Sequence, residues 1–307
     1  MTESTPTLGG TQRVPAEPAA GSPKPAAGSP EDKTGSLPKG LAILSTFGPD
    51  SPTMGVAEMA LRTGINRATV YRIVAILTSL GFLEQFEGRG GRREYRPGLK
   101  VLSLGRAALE SLELPELALP YLRELQMQTG ETVNMAVLDG LSIVYVVRLK
   151  TEVIVNIRLF VGSRLPVYCT SMGKAMLAFL PEEELDAILD RIQLEPLTAH
   201  TVRSRADLLD ELSKTRERGF SINDQELAEG LRSVAAPIFQ GHPQAGTRGL
   251  RPPVVAAVNI AVPSGRASYE RMFHDFAPAV KATAKRISKV LTELSRRAEF
   301  EAQRRTG

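Results

Sequence analysis

The residues that point most directly to a chemistry form a short polar run early in the chain. They are Asn66, Arg67, Thr69, Tyr71 and Arg72. An arginine guanidinium can bind guanine edges or phosphates, whereas a hydroxyl or a phenol can anchor the phosphate backbone. Presented together on one exposed surface, these side chains would suit contact with double-stranded DNA.

The sequence around this run predicts two helices joined by a tight turn between residues 54 and 83. Gly64 can supply the positive φ of a helix end, and the Asn66 side chain can cap the second helix. Apolar residues at helical spacing give that helix one buried face, formed by Val70, Ile73, Val74 and Leu77. The pattern indicates a helix-turn-helix whose second helix enters the major groove. The alternative is an ordinary helical hairpin with a solvated, charged face.

The next segment favours DNA binding. The sequence predicts strands at residues 81–86 and 94–97, joined by a glycine-rich turn. That turn carries Arg89, Arg92 and Arg93. A β-hairpin with a basic tip directly after a helix-turn-helix is a wing, and its positive charge is expected of a surface that contacts phosphates. We therefore expect a winged helix-turn-helix over residues 38–97.

Composition limits the remaining possibilities. The chain has 307 residues, 42% of them apolar and 23% charged, with a net charge of +4, which permits a nucleic-acid partner. The single cysteine, Cys169, excludes an internal disulfide framework and fits a reducing cytoplasm. Three distant histidines provide no zinc spacing, so we expect no metal and no cofactor. No apolar run is long enough to span a membrane, and the N-terminus lacks a signal-peptide pattern.

The chain divides into four parts. Residues 1–37 are rich in Pro, Ala, Gly and Ser, and we expect a disordered tail. A helix over 38–47 would complete the core beneath the DNA-contacting helix. Residues 98–113 predict a connector helix whose apolar side packs against its copy in a second subunit. Residues 114–300 form the last part.

The last part predicts an α+β domain, an antiparallel sheet with surrounding helices. The change to a two-residue period after Gly130 indicates strands, and Asp139-Gly140 is a strong hairpin signal. The predicted strands are 133–137, 142–147, 153–159, 219–223, 234–239 and 254–262. The predicted helices are 117–129, one opening at Ser171, 182–192, 205–218 and 269–297.

Long, ordered and widely separated blocks of this chain resemble the IclR family of bacterial transcription regulators. Besides the winged region, they are Gly162-Ser163-Arg164-Leu165-Pro166, Thr170-Ser171-Met172-Gly173-Lys174-Ala175, Arg216-Glu217-Arg218-Gly219-Phe220-Ser221, Gly230-Leu231-Arg232-Ser233 and Ala235-Ala236-Pro237-Ile238. The resemblance covers nearly all of the chain after the tail. It implies a GAF- or PAS-like sensor of a small effector, and a homodimer or dimer of dimers on operator DNA.

One branch of that family looks closest, the branch that controls aromatic-acid catabolism of the protocatechuate and β-ketoadipate type. The segments that carry this similarity are Tyr168-Cys169-Thr170-Ser171-Met172-Gly173 and Asp224-Gln225-Glu226-Leu227-Ala228-Glu229-Gly230-Leu231-Arg232-Ser233. Relatives that bind small 2-oxo acids have an aspartate at position 223 and serines at positions 259 and 261. This chain has Asn223, Asn259 and Ala261, which argues against a very small oxo acid.

The effector pocket implied by the resemblance has a polar and an apolar part. Matching the family's ligand positions one by one brings six residues to the pocket: Ser171, Met172, Asn223, Ser233, Asn259 and Ala261. The apolar wall would comprise Ile154, Ile157, Leu165 and Leu231. Small residues that open a helix at Ser171 leave backbone N–H groups outward, which favours a carboxylate guest. Core and turn residues of the sheet are the alternative interpretation.

Two other functions remain open at this point. Ser171 and Lys174 fit the S-x-x-K motif of penicillin-recognising enzymes, and Ser221-Ile222-Asn223 mimics S-x-N. The K-T-G match at Lys33-Thr34-Gly35 lies upstream, however, whereas those enzymes need it downstream on a strand. A DNA-binding protein that senses no ligand is the other alternative. The pattern as a whole predicts a non-enzymatic, ligand-responsive DNA-binding regulator in the cytoplasm.

Overall fold

The computed structural model describes residues 35–48, 50–88, 90–151, 159–241 and 252–306. It contains the predicted winged helix-turn-helix, connector helix and C-terminal α+β domain. Several predictions lie outside the described residues. They concern the tail up to residue 34, Arg89, Ile154, Ile157 and all but the last residue of the strand at 153–159. Within the described ranges, no helix is long and apolar enough to cross a membrane.

The N-terminal domain contains three helices and a two-stranded hairpin. They are α1 Ser36–Leu44, α2 Val56–Thr63, α3 Arg67–Ser79, β1 Leu83–Glu87 and β2 Arg93–Pro97. Helix α1 begins two residues before the predicted start, inside the stretch assigned to the tail. Pro38 falls in its first turn, where a helix tolerates proline. Helix α2 ends at Gly64, whose φ of 70° provides the predicted left-handed cap.

A small apolar core holds this domain together. Val70, Ile73 and Val74 of α3 are buried against Ile43 of α1 and Met59 of α2. The wing joins the same core, because Leu83 of β1 and Tyr95 of β2 are also buried in it. The apolar face predicted for the second helix is therefore confirmed, and its opposite face lies in solvent.

The rest of the chain alternates helices with strands of one six-stranded sheet. The helices are α4 Lys100–Glu110, α5 Leu114–Thr129, α6 Ser171–Leu177, α7 Glu182–Leu189, α8 Arg205–Arg218, α9 Tyr269–Arg271 and α10 Ala277–Thr306. The strands are β3 Thr132–Asp139, β4 Ser142–Leu149, β5 Arg164–Pro166, β6 Ser221–Asp224, β7 Leu231–Phe239 and β8 Val254–Pro263. The last predicted helix is interrupted by a π-helical turn at Met272–Phe276.

The two faces of the antiparallel sheet carry different side chains. Its order is β5-β4-β3-β8-β7-β6. Large aliphatic residues such as Val133, Val258 and Ile260 pack with α5 and α10 on one face. On the other face small residues such as Ala136, Ala235 and Ala257 pack with α6, α7 and α8. The small residues leave room for polar groups on that second face.

Gly173 lets helix α6 lie directly on the preceding chain. A Cβ at this position would clash with the Val167 carbonyl oxygen and lie 2.6 Å from the Thr170 Oγ1. Gly173→Ala should therefore lower the free energy of unfolding by about 2–3 kcal/mol. Gly40→Ala is the matched control, since Gly40 lies inside α1 and the added Cβ would meet only Ile73, at an ordinary contact distance of 3.6 Å.

The control should raise the free energy of unfolding by about 0.5–1 kcal/mol, because alanine restricts the unfolded chain and favours the helix. Urea denaturation of the two variants and the parent protein measures both changes. Equal stability of the parent and Gly173→Ala would contradict the close approach of α6 to Val167.

Candidate DNA-binding surface and effector site

The exposed side of α3 presents the predicted DNA-contacting residues. Arg67, Tyr71 and Arg72 are exposed, with Tyr71 at 54%, whereas Thr69 is half-buried. Asn66 is exposed, and its side-chain oxygen accepts a hydrogen bond from the Ala68 amide at 2.9 Å. Asn66 therefore begins α3 as the predicted N-cap.

Charge pairing separates two groups of arginines in this domain. Arg62 pairs with Glu58 at 2.7 Å, and Arg96 pairs with Glu84 at 2.9 Å. Four others have no carboxylate within ion-pair distance among the described residues. They are Arg67, Arg72, Arg92 and Arg93. Guanidinium groups without an internal acid remain available to phosphates or bases.

The second face of the sheet brings together most of the predicted effector residues. Ser233 faces Asn223 across β6 and β7 and faces Ala261 across β7 and β8, so the three share this face. Asn259 lies two residues from Ala261 on the same side. Asn223, Ser233 and Asn259 are buried, and Ala261 is half-buried. Leu231 begins β7 two residues before Ser233 and is also buried.

Helix α6 covers this face with Ser171 and Met172, which are both buried. The Ser171 and Ser233 hydroxyls share a hydrogen bond of 2.7 Å. Leu165 of β5 packs in the same apolar cluster as Met172. The described part of the predicted pocket is thus one contiguous region.

Two details modify the reasoning that led to this pocket. Helix α6 spans only seven residues, and the Thr170 hydroxyl already accepts the Gly173 amide at 3.1 Å. The Asn223 amide donates to the Cys169 carbonyl, and its oxygen accepts the Glu226 amide at 3.1 Å. A short, capped helix has little free backbone for an anion. Asn223 therefore shapes a turn, and the helix end is a weak anion site.

Three polar residues of this face were missed by the sequence analysis. The Arg148 Nη1 donates to the Asn134 Oδ1 at 2.9 Å, and the Asn134 amide donates to the Asn259 Oδ1 at 2.8 Å. The other missed residue is Glu226, the partner of Lys174. A local signal existed for Asn134, because it interrupts an apolar strand at an alternate position. No local signal joins residues as distant as Asn134 and Asn259.

Lys174 lies almost entirely within the protein and forms an ion pair with Glu226. Its side chain is 2% exposed, and that of Glu226 is 13% exposed. Burial raises the pKa of the Glu226 carboxyl, and the charge of Lys174 partly opposes that rise. Because Ser171 bonds to Ser233 and Lys174 to Glu226, the serine and the lysine do not form the pair that S-x-x-K chemistry requires.

Cys169 is buried beside this ion pair. Burial, and then the negative charge of Glu226, raises the pKa of its thiol to about 12. The thiolate is the reactive form of cysteine, so this environment suppresses its reactivity. Cys169 is thus a small apolar core residue.

The sequence and fold match known proteins throughout both domains. Residues 36–86 match the IclR helix-turn-helix domain, and residues 106–289 match the C-terminal domain of bacterial IclR transcriptional regulators. The chain therefore belongs to the IclR family of DNA-binding transcriptional regulators. The predicted family, winged N-terminal domain and sheet-based C-terminal domain are confirmed.

Individual relatives agree with this assignment. The Pca regulon regulatory protein of Pseudomonas putida is 35% identical over 81% of this chain and 81% of its own length. An IclR family transcriptional regulator from Brucella abortus is 30% identical, with a TM-score of 0.66 over 85% of this chain and 94% of its own.

A third similar protein shares the fold. It is the IclR homolog from Microbacterium hydrocarbonoxydans in complex with 4-hydroxybenzoate. It is 23% identical, with a TM-score of 0.68 over 84% of this chain and 99% of its own.

Removal of one partner from the buried ion pair should destabilise the C-terminal domain. Lys174→Met leaves the Glu226 carboxylate buried without its counter-charge, and we expect a loss of about 3–5 kcal/mol in the free energy of unfolding. The double variant Lys174→Met/Glu226→Gln removes both charges and should recover most of that loss. Thermal and urea denaturation measure these values, and a double variant as unstable as Lys174→Met would contradict the pairing.

Proposed function

We propose that this protein binds operator DNA through α3 and the wing. When an aromatic or other small organic acid binds the C-terminal domain, the protein dissociates from the DNA or changes its arrangement on it. The observation that carries the proposal is the buried polar region beneath α6, joined in one chain to an exposed helix with unpaired arginines. Operator DNA is in the bacterial cytoplasm, and we place the protein there.

We propose an aromatic carboxylate as the acid. A relative named for the Pca regulon and a fold relative that holds 4-hydroxybenzoate support an aromatic carboxylate. The pocket residues support the same class, because serine and asparagine side chains alternate there with alanines and leucines. Such a lining suits a flat apolar ligand with polar ends.

We propose that the pocket binds its ligand without catalysing a reaction on it. The Ser171 hydroxyl contacts another serine, and Lys174 is neutralised by Glu226. A serine nucleophile needs an adjacent base to remove its proton. Neither neighbour supplies one, which supports a sensor in preference to a hydrolase.

We propose that α4 joins two copies of the chain. None of its residues is buried. Three leucines at its start are largely exposed: Leu99 by 76%, Leu102 by 69% and Leu104 by 59%. Burial of such leucines against their copies would remove apolar surface from water. Effector binding would favour one arrangement of the dimer, and α4 would then set the spacing of the two α3 helices.

The test of the central proposal is binding of the full chain to its own upstream DNA, titrated with hydroxybenzoates and dicarboxylic acids. We expect a specific complex whose affinity one acid changes by at least about fivefold, a typical coupling. A complex that no acid affects would leave a ligand-blind DNA-binding protein. Absence of any specific complex there and at neighbouring promoters would contradict the operator assignment.

The same assay tests the residues assigned to DNA. Arg67→Ala and Arg72→Ala should each weaken binding. Loss of a base contact should cost about 1–3 kcal/mol of binding free energy, whereas loss of a phosphate contact should also reduce the slope of log affinity against log salt concentration by about 1. The control is Arg205→Ala, which removes the same charge from a residue paired with Asp186 and Asp190 far along the chain. Unchanged affinity and salt dependence in both variants would refute the assignment of α3.

The dimer is tested by charge substitution on α4. Leu102→Lys places a cation in the proposed interface and should raise the dimer dissociation constant by at least about tenfold, since burial of an unpaired charge is costly. Met127→Lys is the control, because Met127 is 79% exposed on α5, outside that interface. Analytical ultracentrifugation measures both, and equal association of the two variants would contradict packing through α4.

A further inference from the structure

Arg148 is a half-buried cation without an acid partner in the described part of the chain. Its Nη1 donates to Asn134, whereas its Nε is enclosed by protein and has no hydrogen-bond partner. The neighbouring Arg164 of β5 differs, since it pairs with Asp139. The free edge of the Arg148 guanidinium is therefore the one formed by Nε and Nη2.

Such an arrangement is energetically costly in the protein alone. Guanidinium remains charged at every ordinary pH, and a buried donor without an acceptor loses hydration without replacement. Burial lowers the pKa of Arg148, which reports the same cost. The buried Lys174 is matched by Glu226. The contrast points to an anion that no described residue of the chain supplies.

The sheet register places this guanidinium beside the proposed effector region. Asn134 lies opposite Arg148 on one side and opposite Asn259 on the other. A bulge in β4, where the register shifts between Met135 and Ala136, brings Tyr145 and Arg148 onto the same face of the sheet. The bulge thus directs Arg148 toward the α6 side.

The strand order sets the distance between Arg148 and Ser233. The Arg148 guanidinium is held at Asn134 on β3, and Ser233 lies on β7, two strands away in the order β3-β8-β7. With strands about 4.8 Å apart, the two polar ends are separated by roughly 10 Å. The Asn134–Asn259 amide pair and Ala261 lie between them.

We propose that Arg148 is the carboxylate anchor of the effector site, with the acid lying across β3 and β8 toward Ser171 and Ser233. Because the Nε is enclosed by protein, the guanidinium must turn to present its Nε–Nη2 edge to the ligand. That edge would then bind both oxygens of one carboxylate, the geometry in which arginine recognises this group best. A hydroxyl or a second carboxyl at the far end would meet the two serine hydroxyls. This inference rests on the proposed sensing function and names the group that the site recognises.

The test compares a carboxylate with its neutral amide. Calorimetry of the full chain with 4-hydroxybenzoate, 4-hydroxybenzamide, adipate and adipamide measures affinity for each. We expect the acid of at least one pair to bind at least about tenfold tighter than its amide, since a hydrogen bond to a charged group is worth about that much. Arg148→Gln should weaken the acid by about 10- to 100-fold and leave the amide nearly unchanged.

Two further variants separate charge from geometry and from position. Arg148→Lys keeps the charge but loses the planar edge with two parallel N–H donors. Its affinity for the acid should therefore fall between those of the parent and Arg148→Gln. Arg164→Gln removes a paired arginine from the adjacent strand and should bind as the parent does. Should Arg148→Gln fail to fold, the Arg148→Lys variant and the acid–amide comparison in the parent decide the matter.

The outcomes distinguish this inference from the function on which it rests. If the parent binds an acid and Arg148→Gln binds it within threefold, the anchor is refuted while the sensor stands. Equal binding of acid and amide by the parent also refutes it. If the parent binds none of these acids and none alters its operator complex, the sensing proposal is overturned and the anchor with it.

Discussion

The need to pair polar groups away from water governs the C-terminal domain. On the α6 side of the sheet, Lys174, Asn134, Asn223 and Asn259 are all buried, yet each has a hydrogen-bond partner. Burial of an unpaired polar group costs more than most packing contacts gain, so these pairs fix how α6 and the loop after β6 lie on the sheet. Among the described residues the buried Arg148 Nε and Ser221 Oγ lack a hydrogen-bond partner. Of these two groups only the arginine is charged, which is why we assign it to the proposed effector site.

The N-terminal domain is arranged under the opposite condition. Four arginines of α3 and the wing are exposed and have no acid partner among the described residues, which costs little because water solvates them. They are Arg67, Arg72, Arg92 and Arg93. We propose that these charges pair with the phosphates of operator DNA. We thus assign the exposed arginines to a polyanion, DNA, and the half-buried Arg148 to a small anion.

Local signals explain how much of the fold the sequence could predict. The helix ends at Gly64, Gly130 and Gly219 have φ near 70°, and the Asp139-Gly140 turn joins β3 to β4 as expected. Strand β5 was not predicted, since three residues are too few for a periodic pattern. Asn134 and Arg148, which we propose for the effector site, were missed for another reason. Their role depends on cross-strand register, and the Asn134–Asn259 pair joins positions 125 residues apart.

The alternation of side chains along β3 offers a physical route from ligand to DNA. Asn134 faces the proposed ligand, while its neighbours Val133 and Met135 pack in the core beneath α5. A ligand that shifts Asn134 must also shift those neighbours, because a close-packed core transmits displacement. Helix α5 follows α4 through Glu113, a non-glycine residue with φ of 50°. A positive φ costs free energy in a residue with a side chain, so Glu113 makes a strained connection between α5, which packs on the neighbours of Asn134, and α4.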